Sequence, residues 1–533
     1  MSFLLSVNRW SQGHSFEISV LFIAAILVFA VAPCESQETK TEATSQGTTT
    51  IQVQSRLVVL DVVVTGKGGQ IRNDLKQGDF RIAEDGVPQT ILHFEPPADH
   101  ELPAGPSIQS TSELEKRAPQ APVTVVVLDE LNTRFQDMAY ARYALKKYLN
   151  AQPGQLQAPT MLVAVSSNRL QVLKDYTQDR GSILSALDHH LTAYPWSLEM
   201  GVSRIQQLAL SLGALEQVAQ ATAGHPGHKN LLWVGHGFPG IDLSGPELDQ
   251  NSIDGITNAV QQGLNMLRDS RITLYTIDPT EMSPSIVVRT DDNSPFGELG
   301  DADAPDPFLS DVQFTALAAA TGGKAFYSRN DVDKEIGESA RDGVNYYTIT
   351  YRPTSESDVE RTYRRIRISL AEPGLHAGSR DGYYTRNEIA QKNNTVRGAY
   401  DIDSATENTL VYTGLKVESI AKPNAPGIYL IGIPQQDLAW TDDGDSQTAH
   451  AKLVAAVFDP KGKILSRISQ NLTERRPLND SASRSSLARV EVSVPLDPGA
   501  SRIRFVVWEG TSGHIGTSDL RIPGAPADAA PKR

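Results

Sequence analysis

Apolar positions along this chain change period several times, and each change marks a different kind of element. The least interrupted run is Val123–Leu128, closed by Asp129 and the small polar cluster around Asn132 and Thr133. A β-branched run without alternation predicts a strand buried on both faces, as in the middle of a parallel sheet. From Asp137 to Leu149, the residues Met138, Ala141, Ala144, Leu145, Tyr148 and Leu149 share one helical face. Strand, polar loop and helix therefore follow one another, and the alternation continues. Met161–Ser166 reads as a second apolar strand, with Leu170–Tyr176 returning antiparallel to it. Asp179–Leu191 and Ser203–Ala223 carry helical spacing, Leu231–Val234 is a buried strand, Asn251–Leu267 a helix, and Ile272–Ile277 a strand ending at Asp278. Phe314–Ala320, Lys324–Tyr327 and Val332–Arg341 add a helix, a strand and a helix. The expected fold class is α/β, a doubly wound and mostly parallel sheet.

On both sides of this span the pattern shortens toward strands. Leu57–Thr65, Phe80–Ala83 and Gln89–Phe94, with Asp85-Gly86 as a hairpin turn, predict a small sandwich-like β module over 51–97. Residues 98–122 are rich in Pro, Ser and Glu with little periodicity and read as a linker, which bounds the α/β domain as 123–351. Inside it, 282–309 is acidic and poor in apolar residues, so a solvated insertion is expected. Its Asp291, Asp292, Asp301, Asp303 and Asp306 lack the ligand spacing of a calcium loop. Tyr346–Tyr351, Tyr363–Leu370 and Tyr383–Thr385 look like strands, the last two forming a β extension over 352–386. Over 401–523, Leu410–Val417, Ile428–Ile433, Lys452–Phe458, Ile464–Ile468, Ala488–Val494 and Ile503–Glu509 predict a carboxyl-terminal β-sandwich-like domain.

The amino terminus concerns location rather than fold. Arg9 precedes an apolar run, Val20–Ala32, of the length of a secretory signal's hydrophobic region, and a Thr/Ser/Gln-rich spacer follows over 37–50. Residues 1–36 therefore read as a signal peptide. Ala30-Val31-Ala32 offers a cleavage site, Cys34 a lipidation site, and a retained anchor is a third outcome. All three imply export to the periplasm, cell surface or medium, with no integral span expected in a mature, cleaved chain. Cys34 is the single cysteine among 533 residues, which excludes an internal disulfide and a thiolate zinc site. A net charge of −14 argues against nucleic acid and against an anionic membrane surface, leaving a protein, a carbohydrate or a cation as partner.

In open α/β sheets the crevice at the carboxyl ends of the central strands is where ligands bind, which singles out Asp129, Asn132 and Thr133. The alternative is that Asp129 and Asn132 only cap the following helix. The same sheet edge should receive His236 and Asp278 from the next two strands.

The span Val123 to about Tyr351 resembles a von Willebrand factor type A domain, whose first loop carries D-x-S-x-S for a metal-ion-dependent adhesion site. Here the place reads Asp129-Glu130-Leu131-Asn132-Thr133, with Leu131 replacing the middle serine. The ordered motifs L-V-V-L-D-V-V-V-T, D-F-R-I-A-E-D-G, V-V-L-D-E-L-N-T and G-H-K-N-L-L-W-V-G-H-G-F-P make Leu57 to about Tyr384 similar to exported type A-related proteins of the acidobacterial group. The resemblance implies a protein-binding or adhesion module rather than an enzyme. It also implies a degenerate site, because His236 stands where the family places an aspartate and the second-loop hydroxyl has only Ser203 and Ser211 as candidates. Asp129, Thr133 and His236 would then hold a divalent cation weakly, or the site is vestigial. Two rivals stay open: a structural scaffold of an envelope assembly, and a metal-dependent hydrolase built on Asp129 and His236, for which no nucleophile motif is present. The pairs His189 with His190 and His225 with His228 read as solvated surface rather than metal ligands.

Overall fold

The computed structural model describes residues 57–522 apart from 167–168, 194–200, 247, 281–306, 309, 328–329, 355–362, 386–393 and 479–485. The signal, the spacer and the five insertion aspartates lie outside the described residues. The central sheet has six strands in the order Ala325–Phe326, Ile272–Ile277, Lys229–Val234, Val123–Asp129, Gln155–Ser166, Arg169–Asp179. All neighbours pair in parallel except the last, which turns back antiparallel on Gln155–Ser166.

Every residue of Val123–Asp129 is buried. Val123, Val125 and Val127 join one apolar core with the helices Arg204–Thr222, Gln250–Asp269 and Phe314–Ala320. Val126 and Leu128 join another with the helices Phe135–Ala151, Arg180–His189 and Val332–Asp342. Covering on both faces is why this run shows no alternation. The chain leaves Val123–Asp129 toward one edge and returns to pair Lys229–Val234 on its other side, so the strand order reverses between these two strands. The crevice of the sheet opens at that reversal.

The segments flanking the α/β span fold together. One antiparallel sheet runs His376–Gly378, Val58–Thr65, Tyr347–Tyr351, Ile91–Glu95, and a second runs Gly382–Tyr384, Tyr363–Leu370, Phe80–Glu84, Val87–Gln89. Leu60, Val62, Phe80, Ile82, Tyr347, Ile349 and Ile366 share the core between them. Tyr347–Tyr351, placed by its apolar pattern at the end of the α/β domain, thus pairs with strands that precede that domain. An apolar strand pattern records burial and does not name the partner. Asp85 and Gly86 turn the Phe80–Glu84 hairpin at φ 49° and 81°, the left-handed pair that a two-residue turn requires.

Residues 98–122 are not a free linker. A short helix, Thr111–Arg117, is capped by the Ser110 hydroxyl, and Ile108, Leu114, Ala118 and Ala121 enter the α/β core. The Thr111 amide and hydroxyl donate to Asp175 at 2.9 and 2.6 Å, fixing the strap to the antiparallel edge strand.

Past an unanticipated helix, Asn394–Glu407, two further sheets pack on each other. Glu418–Ala421, Ile428–Pro434 and Leu487–Ser493 form one; Thr441–Asp443, Ser446–Phe458, Arg502–Glu509 and Ile515–Arg521 form the other, with Ile464–Pro477 also paired to Ser446–Phe458. Leu410–Val417 is not a strand. Its Leu410, Tyr412 and Leu415 are buried, yet the Thr413 amide bonds Ala221 and the Leu415 amide bonds Ile515, so no single partner strand forms.

Candidate functional site

Asp129 ends the central strand at the reversal, and its side chain is completely buried. Oδ1 accepts from the amides of Leu131 and Asn132 at 3.1 and 3.0 Å, and Oδ2 from the Trp233 indole at 3.1 Å and the Gly237 amide at 2.8 Å. A carboxylate has about four acceptor sites, so this one is saturated. Burial pushes its carboxyl above the ordinary range, against the pull of the donors from Asn132, Trp233 and Gly237. The group ties its own loop to the loop after Lys229–Val234. It does not cap the helix, which begins at Phe135 after Arg134 with no side-chain cap.

Thr133 closes the same junction, its Oγ1 accepting from the His236 amide at 3.0 Å. Asn132 turns the other way and donates to Ser211 Oγ at 2.9 Å, leaving its own Oδ1 buried without a partner. Ser211, one of the two candidate hydroxyls, therefore does reach this loop; Ser203 instead caps the helix Arg204–Thr222. The loop Gly235-His236-Gly237 depends on its glycines. At Gly235, φ is +146° and a Cβ would lie 2.4 Å from Thr133 Oγ1 and 2.5 Å from Asp129 Cβ.

His236 stands between two carboxylates. Nε2 lies 3.2 Å from Asp137 Oδ2 and Nδ1 3.0 Å from Asp278 Oδ1. Burial disfavours its protonation, but the bonds and charges of Asp278 and Asp137 outweigh burial and hold the imidazole above its ordinary value. Asp278 is lowered in turn, burial being overcome by His236 and Thr280. Asp129, Asn132, Thr133, His236 and Asp278 are thus gathered at one edge, but through protein hydrogen bonds.

A divalent cation shared by Asp129, Thr133 and His236 does not fit this arrangement. Asp129 has no free acceptor position, Thr133 Oγ1 is engaged by an amide, and both ring nitrogens of His236 face carboxylates. Among the described residues no group of three or more His, Cys, Asp or Glu side chains is placed to hold a metal ion.

Sequence reasoning gave no role to three residues that build the site, Glu130, Asp137 and Trp233, and read a fourth, His190, as solvated surface. Glu130 is buried and joins His190 Nε2 at 2.6 Å and the Ala193 amide at 2.8 Å, which anchors the loop beyond Arg180–His189. His190 is consequently not solvated surface. Neither are His225 and His228, which are buried against the Ala121 carbonyl and the Asp61 carboxylate; His189 is exposed. Only Asp137 carried a local signal, as an acidic residue in the first turn of a helix.

No family model matches the chain, and no curated protein matches it. Among solved structures, it is similar to the crystal structure of the SpRpn10 VWA domain at 16% identity and a TM-score of 0.16, covering 30% of this chain and 89% of that one. A second, an endonuclease/exonuclease/phosphatase from Beutenbergia cavernae DSM 12333, aligns at 13% identity and a TM-score of 0.12, over 34% of this chain and 39% of that one. Likeness of this degree carries no argument about fold or activity. Among the described residues no helix is long and apolar enough to cross a membrane.

Proposed function

We propose that the chain is an exported protein-binding module of the von Willebrand factor type A kind, which holds a protein partner against the crevice at the carboxyl ends of its parallel strands. The observation that carries this reading is the saturated Asp129. Most buried polar groups of the crevice, Asn132 Oδ1 excepted, are spent on holding its loops in place, so the face they support is pre-organised and also presents apolar and aromatic side chains. Phe135 opens the helix after the Asp129 loop and is 53% exposed, and Leu191, beyond the Glu130 anchor, is 72% exposed. Tyr327, after the edge strand, is also exposed. Exposed aromatic and aliphatic side chains on a rigid polar frame are what protein interfaces use as anchors. Export is proposed from the amino-terminal segment, and adhesion is the form such binding would take at a cell surface.

A hydrolase built on Asp129 and His236 finds no support, because both groups are fully engaged with the protein. A scaffold role is favoured by a different feature, the 14-residue strand Ile464–Pro477, which among the described residues pairs only with Ser446–Phe458 and so offers an edge for strand addition. A photo-crosslinking residue placed at Phe135, at Leu191 and at Ile468 of the edge strand separates the readings. Capture of one envelope protein from Phe135 and Leu191, abolished by Phe135→Ser in the Leu191 probe, is expected. Capture from Ile468 alone would overturn the crevice in favour of the scaffold.

A further inference from the structure

Away from the crevice, where the sandwich meets the α/β unit, a narrow cleft of about 20 Å³ is lined by Asn265, Arg268, Thr321, Tyr363, Arg380 and Tyr384 among others. Two arginines line it. Arg268 is satisfied: it bonds Asp269 at 2.8 Å and the Tyr384 carbonyl at 3.0 Å, and lies over the Tyr383 ring. Arg380 is not. Its Nη2 donates to the Val59 carbonyl at 2.7 Å, its Nε is buried with no acceptor, and among the described residues no carboxylate forms an ion pair with it.

An arginine offers five N–H donors and does not give up its proton, so a half-buried guanidinium with one protein bond among the described residues has donors still to satisfy. Burial, and next to it the charge of Arg268, pulls Arg380 down to about 10, against the weaker opposite pull of Asp61, Tyr351 and Asp269. Both effects would be relieved by one negative charge in the cleft. Its volume sets the size: a water needs about 10–15 Å³, so about 20 Å³ admits one small group and not a whole metabolite. Asn265 and Thr321 add neutral polar walls, and the tyrosine rings of 363 and 384, 5.0 Å apart, close one side.

We propose that this cleft is an anion site, which takes a single carboxylate-sized oxyanion between Arg380 and Arg268 at the junction of the sandwich with the α/β unit. Planar guanidinium groups bind such anions through paired, charge-assisted hydrogen bonds. The source is either a free small anion or the terminal carboxylate of a larger molecule, and the two are separable.

The test is thermal unfolding of the full chain at constant ionic strength, titrated with acetate, with inorganic phosphate, and with a short peptide carrying either a free or an amidated carboxyl terminus. A saturable rise in Tm is expected with acetate or with the free-carboxyl peptide, and the stronger of the two identifies the source. Arg380→Gln should weaken it by about tenfold or more, the effect of losing a charge-assisted pair. If Arg380→Gln does not fold, bromide-soaked crystals of the parent protein decide: anomalous density in the cleft against the Arg380 guanidinium supports the site. No saturable shift with any of these probes, a shift that Arg380→Gln leaves unchanged, or bromide absent from the cleft would overturn it.

Discussion

The indole N–H of Trp233 donates to Oδ2 of Asp129 across 3.1 Å, linking the ends of two parallel strands on either side of the point where the sheet order reverses. All four acceptor positions of Asp129 are taken by the protein's own donors. Asp129→Asn is nearly isosteric but replaces an acceptor oxygen with a donor that must face one of two N–H pairs. Loss of about 2–4 kcal/mol is expected, with Asp129→Ala at the upper end, since buried donors are left unmet. Chemical denaturation of the two variants checks this. Variants as stable as the parent, or a parent stabilised by magnesium in a way that Asp129→Ala abolishes, would return the site to metal binding.

His236 supplies the pH dependence. Its folded value is raised above the unfolded one, so its contribution is complete below about pH 6.5 and is lost as pH rises through the folded value. His100 and His225 are shifted the opposite way by burial, His225 to about 4, and they favour the folded state as pH rises. The difference between the parent and His236→Gln isolates the first term. That difference should be largest at pH 6 and shrink by pH 9. His236→Asp is a sharper variant, because it sets a third carboxylate between Asp137 and Asp278; it should lower stability at neutral pH and gain a calcium or magnesium response that the parent lacks. A flat difference across this range, or a cation response already present in the parent, contradicts the geometry.

How much of this was readable beforehand depended on distance along the chain. Val123–Leu128 announced a buried strand because both its faces are covered, and the return of Arg169–Asp179 on Gln155–Ser166 followed from two apolar runs separated in sequence by only two polar residues. The site residues at strand ends were legible for the same reason, since topology brings the last residue of each parallel strand to one edge. What they do there was not. Asp129 is saturated by Trp233 and Gly237, more than a hundred positions away, and nothing in the local pattern distinguishes such a carboxylate from one held open for a ligand. Tyr347–Tyr351 shows the same limit at the level of domains, its partners lying before the α/β span.

That long-range pairing rests on Asp61, which accepts from Arg271 at 2.6 Å, from the Thr348 hydroxyl at 2.9 Å and from His228 at 2.9 Å. Burial would raise its carboxyl, but Arg271 and His228 outweigh burial and hold it far below the usual range. Asp61→Ala removes the carboxylate partner of the half-buried Arg271 guanidinium, which keeps its bonds to Thr348 and the Pro226 carbonyl, and should cost up to about 3–5 kcal/mol. Because Asp61 belongs to the sandwich and Arg271 to the α/β unit, the loss should also show as earlier hydrogen exchange in Val58–Thr65 and Tyr347–Tyr351. A cost under about 1 kcal/mol would mean that apolar packing alone joins the two.

The strap 98–122 gives the last prediction. Its composition suggests an open linker, in which Lys116 and Arg117 would be ready tryptic sites. In the fold, Leu114 is 1% exposed and the helix around it is capped and tied to Asp175, so a protease must first unwind Thr111–Arg117 and pull Leu114 from the core. Removing a buried leucine side chain costs about 2–5 kcal/mol, which sets the scale of that opening. Under limited trypsin digestion, the bonds after Lys116 and Arg117 should stay intact in the parent while other sites are cut, and become early cuts in Leu114→Asp. Leu114→Asp buries an unpaired carboxylate where the parent buries an alkyl group, so it disengages the strap without altering either basic residue. Rapid cleavage after Arg117 in the parent would show that the apolar contacts of Ile108 and Leu114 do not hold, and the segment would then be the linker its composition suggests.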